Sequence, residues 1–288
     1  MPNPWLHRYA VLLSLCTLTL LVIGGLVSSK EAGLSIPDWP LSYGRLIPPM
    51  TDQVSLAFSH RVVAALVGLL TLGLAIWLSA AEKRAWLRWL GWISVVTVFL
   101  QAGLGGMAVV TLLPPPVSVI HGSLAQLFFS ATVAIALCTS PGWEPSLHPV
   151  EDHGWPSLRS LALVTPAITF AQVALGAAFR HRAMGVLSHI VGAMVAALVI
   201  LMVGIFVTQQ FPEHKALRPA AVSLMVITAI QVFLGIGAFT MRMVHSGNDA
   251  SVVSAGVAHG VSGALTLAAS VVLAIQIRRN VYPAPEEE

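Results

Sequence analysis

Polar residues along this chain gather in short clusters, and between the clusters lie eight apolar runs: 10–29, 56–80, 90–110, 117–139, 159–178, 184–208, 218–240 and 252–277. Each holds about 20 residues, the length that carries an α-helix across the hydrocarbon core of a bilayer. The pattern predicts an all-α, polytopic membrane protein with eight transmembrane helices. The first run has the length of a secretory signal, but it fits as the first member of the repeat described below and is read as a helix of the mature chain. The longest connections, about 30–55 and 140–158, leave no room for a soluble domain. Composition agrees. The chain is 56% hydrophobic and 9% charged, whereas soluble domains carry about a quarter charged residues.

Charge sharpens the topology. Fifteen Lys and Arg stand against twelve acids, a net +3, and they are spread over the connections rather than clustered, so nucleic acid is not an expected partner. With a cytoplasmic N-terminus, nine cations fall inside (Arg8, Lys83, Arg84, Arg88, Arg159, Lys215, Arg218, Arg278, Arg279) and six outside (Lys30, Arg45, Arg61, Arg180, Arg182, Arg242). The positive-inside rule then places both termini in the cytoplasm of a multi-pass protein of the cell inner (plasma) membrane. Cys16 and Cys138 sit in separate apolar runs with no metal-binding spacing, and read as packing residues.

The chain repeats itself. "QAGLG" at Gln101, "QVALG" at Gln172 and "QVFLG" at Gln231 each occupy an odd-numbered span, and each is followed by an even-numbered span that opens near a histidine. Those histidines are His121 in "IHGSLAQ", His189 in "SHIVGAMV" and His259 in "AHGVSGAL". The first pair of spans lacks the glutamine but ends the same way, at His60 in "SHRVVAAL". Eight spans thus resolve into four hairpins, and the hairpins into two halves with the same orientation, related by an axis along the membrane normal. The expected architecture is two pseudo-symmetric four-helix bundles with functional groups inward. Residues 1–139 form the N-terminal half, 140–158 a cytoplasmic linker, and 159–288 the C-terminal half.

Four imidazoles at equivalent places, within the first turn or two of their spans, point to metal chemistry. A neutral imidazole is a good iron ligand, and paired axial histidines hold haem. The natural pairs are His60 with His121 and His189 with His259. Interhelical hydrogen bonding, or copper or zinc, are the competing uses of such rings. Gly68, Gly122, Gly192, Gly260 and Gly263 fit close approach by a flat ligand or by a neighbouring helix equally well. His7, His148, His153 and His214 fall in terminal or cytoplasmic segments and read as solvated, while His181 and His245 lie in outer loops. Arg61, Arg180, Arg182 and Arg242 are placed to meet haem carboxylates or lipid headgroups; Arg61 and Arg182 are favoured for the carboxylates. The first outer loop, with its four prolines, Trp39 and Tyr43, reads as irregular backbone over the first bundle, and Asp38 as a turn former.

Eight spans, the four-histidine duplication, "EAGLSIPDWPLSYG" in the first outer loop, "SHR" in the second span and "HG" in the fourth and eighth together resemble the haem A synthase family. The resemblance covers nearly the whole chain. It implies an oxidoreductase that converts the C8 methyl of haem O to a formyl group, giving haem A for cytochrome oxidase. His60 and His121 would flank the substrate haem as catalytic and iron-ligating residues. His189 and His259 would ligate a haem b cofactor in the C-terminal half. The implied partners are haem O itself, haem O synthase, cytochrome oxidase assembly factors and membrane lipid, with a homo-oligomer compatible. Two positions depart from the family pattern. A glutamate three residues ahead of the first histidine is Ala57 here, and a cysteine pair in the outer loop is replaced by Ile36 and Ser42. Glu31 or Asp38 would have to stand in as the acid. A non-catalytic dihaem protein for electron transfer or haem binding is the alternative, and a transporter the third reading.

Overall fold

Lipid offers no partner to backbone N–H and C=O groups, so a spanning segment must satisfy them internally, and each apolar run becomes a helix. The computed structural model describes residues 3–143, 150–152, 156–245 and 249–283. Among these residues eight helices are long and apolar enough to cross a membrane. They are α1 (Pro4–Ser29), α2 (Asp52–Ala81), α3 (Ala85–Val110), α4 (Pro115–Thr139), α5 (Leu158–Arg180), α6 (Val186–Gln210), α7 (Leu217–Val244) and α8 (Ala250–Asn280). The protein is an all-α, multi-pass membrane protein, as its hydropathy pattern predicts.

Helix ends carry local chemistry. Asn3 accepts from the backbone N–H of Trp5 and Leu6, and Pro4 occupies the first helical position of α1. Ser157 caps α5 and Asp249 caps α8 in the same manner. His214, expected to be solvated, accepts at Nδ1 from the N–H groups of Ala216 and Leu217 at the start of α7. His7 is also engaged: its Nδ1 lies 2.9 Å from the Ala136 carbonyl oxygen. Both corrections have one cause, since the unpaired backbone groups at helix ends recruit any nearby polar side chain. His148 and His153 lie outside the described residues.

Helices α1 to α4 pack in a ring, each on its chain neighbour and α1 on α4; α5 to α8 do the same. The two rings meet where α4 packs on α8 and α5, and α1 on α8. Consequently α4 and α8 are the most buried spans. Most of the largest buried side chains gather at one end of each ring. Leu13, Leu74, Leu78, Leu87 and Ile135 fill the first; Leu158, Ile200, Val203, Leu217, Leu224 and Leu273 fill the second. These residues come from the starts of odd helices and the finishes of even ones. The four histidines lie at the opposite end.

One element has no counterpart in the sequence reading. Val150–Asp152 (β1) pairs in parallel with Val281–Pro283 (β2), Val150 opposite Val281. Asp152 also accepts from the Leu158 N–H at 2.7 Å, fixing the entry to α5. The α1–α2 loop holds a single 3₁₀ turn, Ala32–Leu34. Asp38 accepts from the N–H groups of Tyr43 and Gly44 at 2.6 and 2.7 Å. These bonds keep its carboxyl below the usual carboxylate range. The Trp39 indole lies against Gly106 of α3, where a single Cβ would come within 2.6 Å of it. The loop therefore folds back over the ends of α2 and α3.

Candidate functional site

Each histidine rests on a glycine of the preceding odd helix. A Cβ at Gly24 of α1 would lie 3.1 Å from His60 Cε1, and one at Gly105 of α3 would lie 3.5 Å from His121 Cε1. The same relation holds for Gly176 of α5 with His189, at 3.0 Å, and for Gly235 of α7 with His259, at 2.8 Å. In three of the hairpins this glycine falls four residues after the repeated glutamine, one turn further along the same face. The glycine of "QxxLG" is therefore the seat of the imidazole. His189 lies within the first two turns of α6 and His121 within those of α4. His60 and His259 lie a turn deeper than expected, because α2 and α8 begin upstream of their apolar runs.

The glutamines tie the hairpins together. Gln101 donates to the His121 carbonyl at 3.0 Å, and Gln172 donates to the His189 carbonyl at 3.0 Å while its Nε2 lies 2.9 Å from His189 Nδ1. In the last hairpin His259 Nδ1 lies 3.2 Å from the Gln231 carbonyl oxygen, and the Gln231 side chain accepts from Ser262. A carbonyl oxygen can only accept, so His259 carries its proton on Nδ1 and keeps a lone pair at Nε2 for a metal. Gly192 and Gly263 lie against Gln172 and Gln231, whereas Gly68 and Gly122 have nothing within 4 Å of a would-be Cβ.

The C-terminal pair is brought together. The ring centres of His189 and His259 are 6.0 Å apart, with planes at 82°. Two imidazole–metal bonds of about 2 Å each, with half of each ring, span such a gap. Phe179 stacks on His189 at 6.2 Å, and Arg242 lies 5.8 Å from the Phe179 ring. In the N-terminal half the two rings are His60 of α2 and His121 of α4. The Nδ1 atoms of both rings are buried without a hydrogen-bond partner, as are Gln101 Oε1, Gln126 Oε1 and Ser123 Oγ. An unpaired buried polar group costs about 1–3 kcal/mol. The two ring nitrogens and Gln101 Oε1, on α2, α4 and α3, fit a site shaped for a ligand with polar or metal-binding demand, whereas Gln126 Oε1 lies toward Gly263 of α8. On these grounds the residues present fit a haem in each half.

The four outer arginines have different surroundings. Arg61 donates to the carbonyls of Leu41 and Ile36, so it grips the α1–α2 loop. Arg182 is exposed at the α5–α6 turn, in left-handed backbone with φ 59°. Arg180 is the arginine drawn inward. It donates to the Gly25 carbonyl at 2.9 Å and to Ser29 Oγ at 2.7 Å, and its third nitrogen lies 3.6 Å from a would-be Cβ at Gly260. His181 sits beside it, its imidazole pushed below its ordinary value by burial and by nearby Arg180 and His121. His245 faces Asp249 at 3.7 Å. Ala57, at the place of the family's glutamate, is buried with Ile36, Val54 and Phe58 in an apolar cluster.

The family match falls on the N-terminal half. The family described as cytochrome oxidase assembly protein (COX15-CtaA) matches residues 7–57 and 50–133. A "Heme A synthase" of Shouchella clausii is 35% identical over 45% of this chain and 44% of its own length. Those of Symbiobacterium thermophilum and Bacillus licheniformis are 29% identical over 55% of this chain and 30% over 47%, covering 53% and 45% of their own lengths. The chain thus spans about half the length of the curated relatives it matches. The matched stretch contains His60, His121, the outer loop and both glycine seats of the first ring. Over that stretch the chain is similar to the COX15-CtaA family of cytochrome oxidase assembly proteins.

Proposed function

We propose that the chain is a haem A synthase, an oxidoreductase that converts the C8 methyl of haem O to a formyl group for cytochrome oxidase. In this reading residues 1–139 take haem O between His60 and His121. Residues 159–288 keep a haem b between His189 and His259, and 140–158 link the halves. The observation that carries the reading is the pair of buried, unpartnered Nδ1 atoms of His60 and His121, inside the stretch that matches the family. Gly24 and Gly105 set the depth of those rings, and Gln101 holds the α4 backbone at His121. A haem b in the second ring supplies one-electron transfer. The nine-to-six charge bias supports a plasma-membrane protein with both termini in the cytoplasm. Haem O synthase and cytochrome oxidase assembly factors are its natural neighbours in such a role, with a homo-oligomer compatible.

Ala57 favours a second reading. Ala57 makes an apolar contact with the loop residue Ile36 at the place where the family pattern has a carboxylate. Asp38 spends its carboxylate on the loop, and Glu31 carries no cap or bond toward the ring. A dihaem protein without oxidase activity is consistent with this. Co-expression with a haem O synthase separates the two. The enzyme yields extractable haem A, whereas only haem b and unchanged haem O would reject catalysis and leave haem binding standing. His189→Ala or His259→Ala should abolish a low-spin b-type spectrum. His60→Ala or His121→Ala should spare that spectrum and stop turnover.

A further inference from the structure

At the end of the molecule away from the histidines, α5 and α8 enclose a cleft of about 360 Å³ with the start of α3 and the residues just after α4. Its floor is apolar: Leu163 and Pro166 of α5, with Val271 and Ile275 of α8. Leu163 is 57% exposed, so the floor is open to the bilayer rather than packed. Trp86 and Trp143 stand on one side, and Arg278 and Arg279 close the end.

Cations crowd that end. The Arg279 guanidinium lies 4.1 Å from the Trp143 ring, and Arg84 lies 5.8 Å from the rings of Trp143 and Trp86. Arg159 is turned in as well, donating to the carbonyls of Arg278 and Val281. Glu82 answers one of the four, since both its oxygens accept from Arg84. That bond holds the Glu82 carboxyl down at about 2. The Arg278 and Arg279 side chains line the cleft itself. Guanidinium groups set close together beside indole rings repel one another until an anion lies between them. Their planar forks suit a phosphodiester.

A free anion would have no use for the apolar floor, and a neutral lipid would leave the cations unanswered. Basic pockets between spanning helices, on the side where cations accumulate, are where anionic headgroups bind. We propose that this cleft binds an anionic phospholipid, its phosphodiester at Arg278 and Arg279 and one acyl chain along Leu163, Pro166, Val271 and Ile275. The site is independent of haem and of any oxidase activity.

The test uses the full chain in nanodiscs of phosphatidylcholine, with brominated phosphatidylglycerol or brominated phosphatidylcholine added as quencher. Trp143→Phe identifies the share of emission that belongs to Trp143. Brominated phosphatidylglycerol should quench that share at several-fold lower mole fraction than brominated phosphatidylcholine. An Arg278→Gln/Arg279→Gln double variant should lose the preference, on the order of fivefold for each guanidinium. Arg278→Lys/Arg279→Lys should retain most of it. Equal quenching by the two lipids in the unmodified chain overturns the proposal, a result that requires no variant to fold. An undiminished preference in the glutamine variant overturns it too. So does displacement of the lipid by millimolar inorganic phosphate, which would mark a plain anion site.

Discussion

A methyl group is the smallest probe of the histidine seats. At Gly235 a Cβ would stand 2.8 Å from His259 Cε1 and at Gly176 3.0 Å from His189 Cε1, so the ring or the helix must give way. Overpacking of this kind costs about 1–3 kcal/mol. Gly235→Ala should therefore lower haem retained per protein by about tenfold, at 1.4 kcal/mol per decade, with Gly176→Ala close behind. Gly237→Ala, with nothing within 4 Å of its Cβ, should leave the b-type absorbance unchanged. Equal effects of Gly235→Ala and Gly237→Ala would deny the seat. The four histidines were legible because a polar ring recurring in lipid is expensive and stands out. Their seats were not, although each QxxLG prints one. Which glycine meets a ring across a hairpin depends on how two helices are rotated, which neither helix's sequence states alone.

Among the elements, spans are the easiest to read and their ends the hardest. Run 159–178 became Leu158–Arg180, yet run 10–29 became Pro4–Ser29, because His7 and Arg8 lower the hydropathy of turns that are helical all the same. The α1–α2 loop is the opposite case. Its prolines announce irregular backbone, but its partners are set by tertiary structure. Arg61, which sequence position offers to a haem carboxylate, is committed to the Leu41 and Ile36 carbonyls. Hydrogen bonds from a charged donor contribute about 1.5–3 kcal/mol. Arg61→Gln should thus speed limited proteolysis between Ile36 and Ile47 by about tenfold or more while sparing the C-terminal haem spectrum. Unchanged cleavage would return Arg61 to the ligand. The β1–β2 ribbon was invisible for a simpler reason: three-residue strands carry too little pattern to register.

For the whole molecule, the joint between the two rings is polar at one edge and apolar along its length. Phe129 of α4 buries itself with Ala264 and Ala268 of α8, and Arg180 stitches α5 to the end of α1 through Gly25, Ser28 and Ser29. Arg180→Met should destabilise the protein by about 1.5–3 kcal/mol, seen as a lower thermal midpoint in detergent. Arg180→Lys should not restore it, because one ammonium cannot reach acceptors spread along a helix turn as a fork does. A midpoint unmoved by Arg180→Met would show the joint to be held by apolar contact alone. The spacing of histidines along the chain gave no hint that the large leucines would crowd one end of each ring. That placement bears on the order of assembly. The leucine-rich ends can knit as the chain leaves the translocon, giving a frame that holds its shape while the other ends stay receptive. The haem of the proposed function can then be delivered late, to a scaffold already standing, instead of being the nucleus around which it folds.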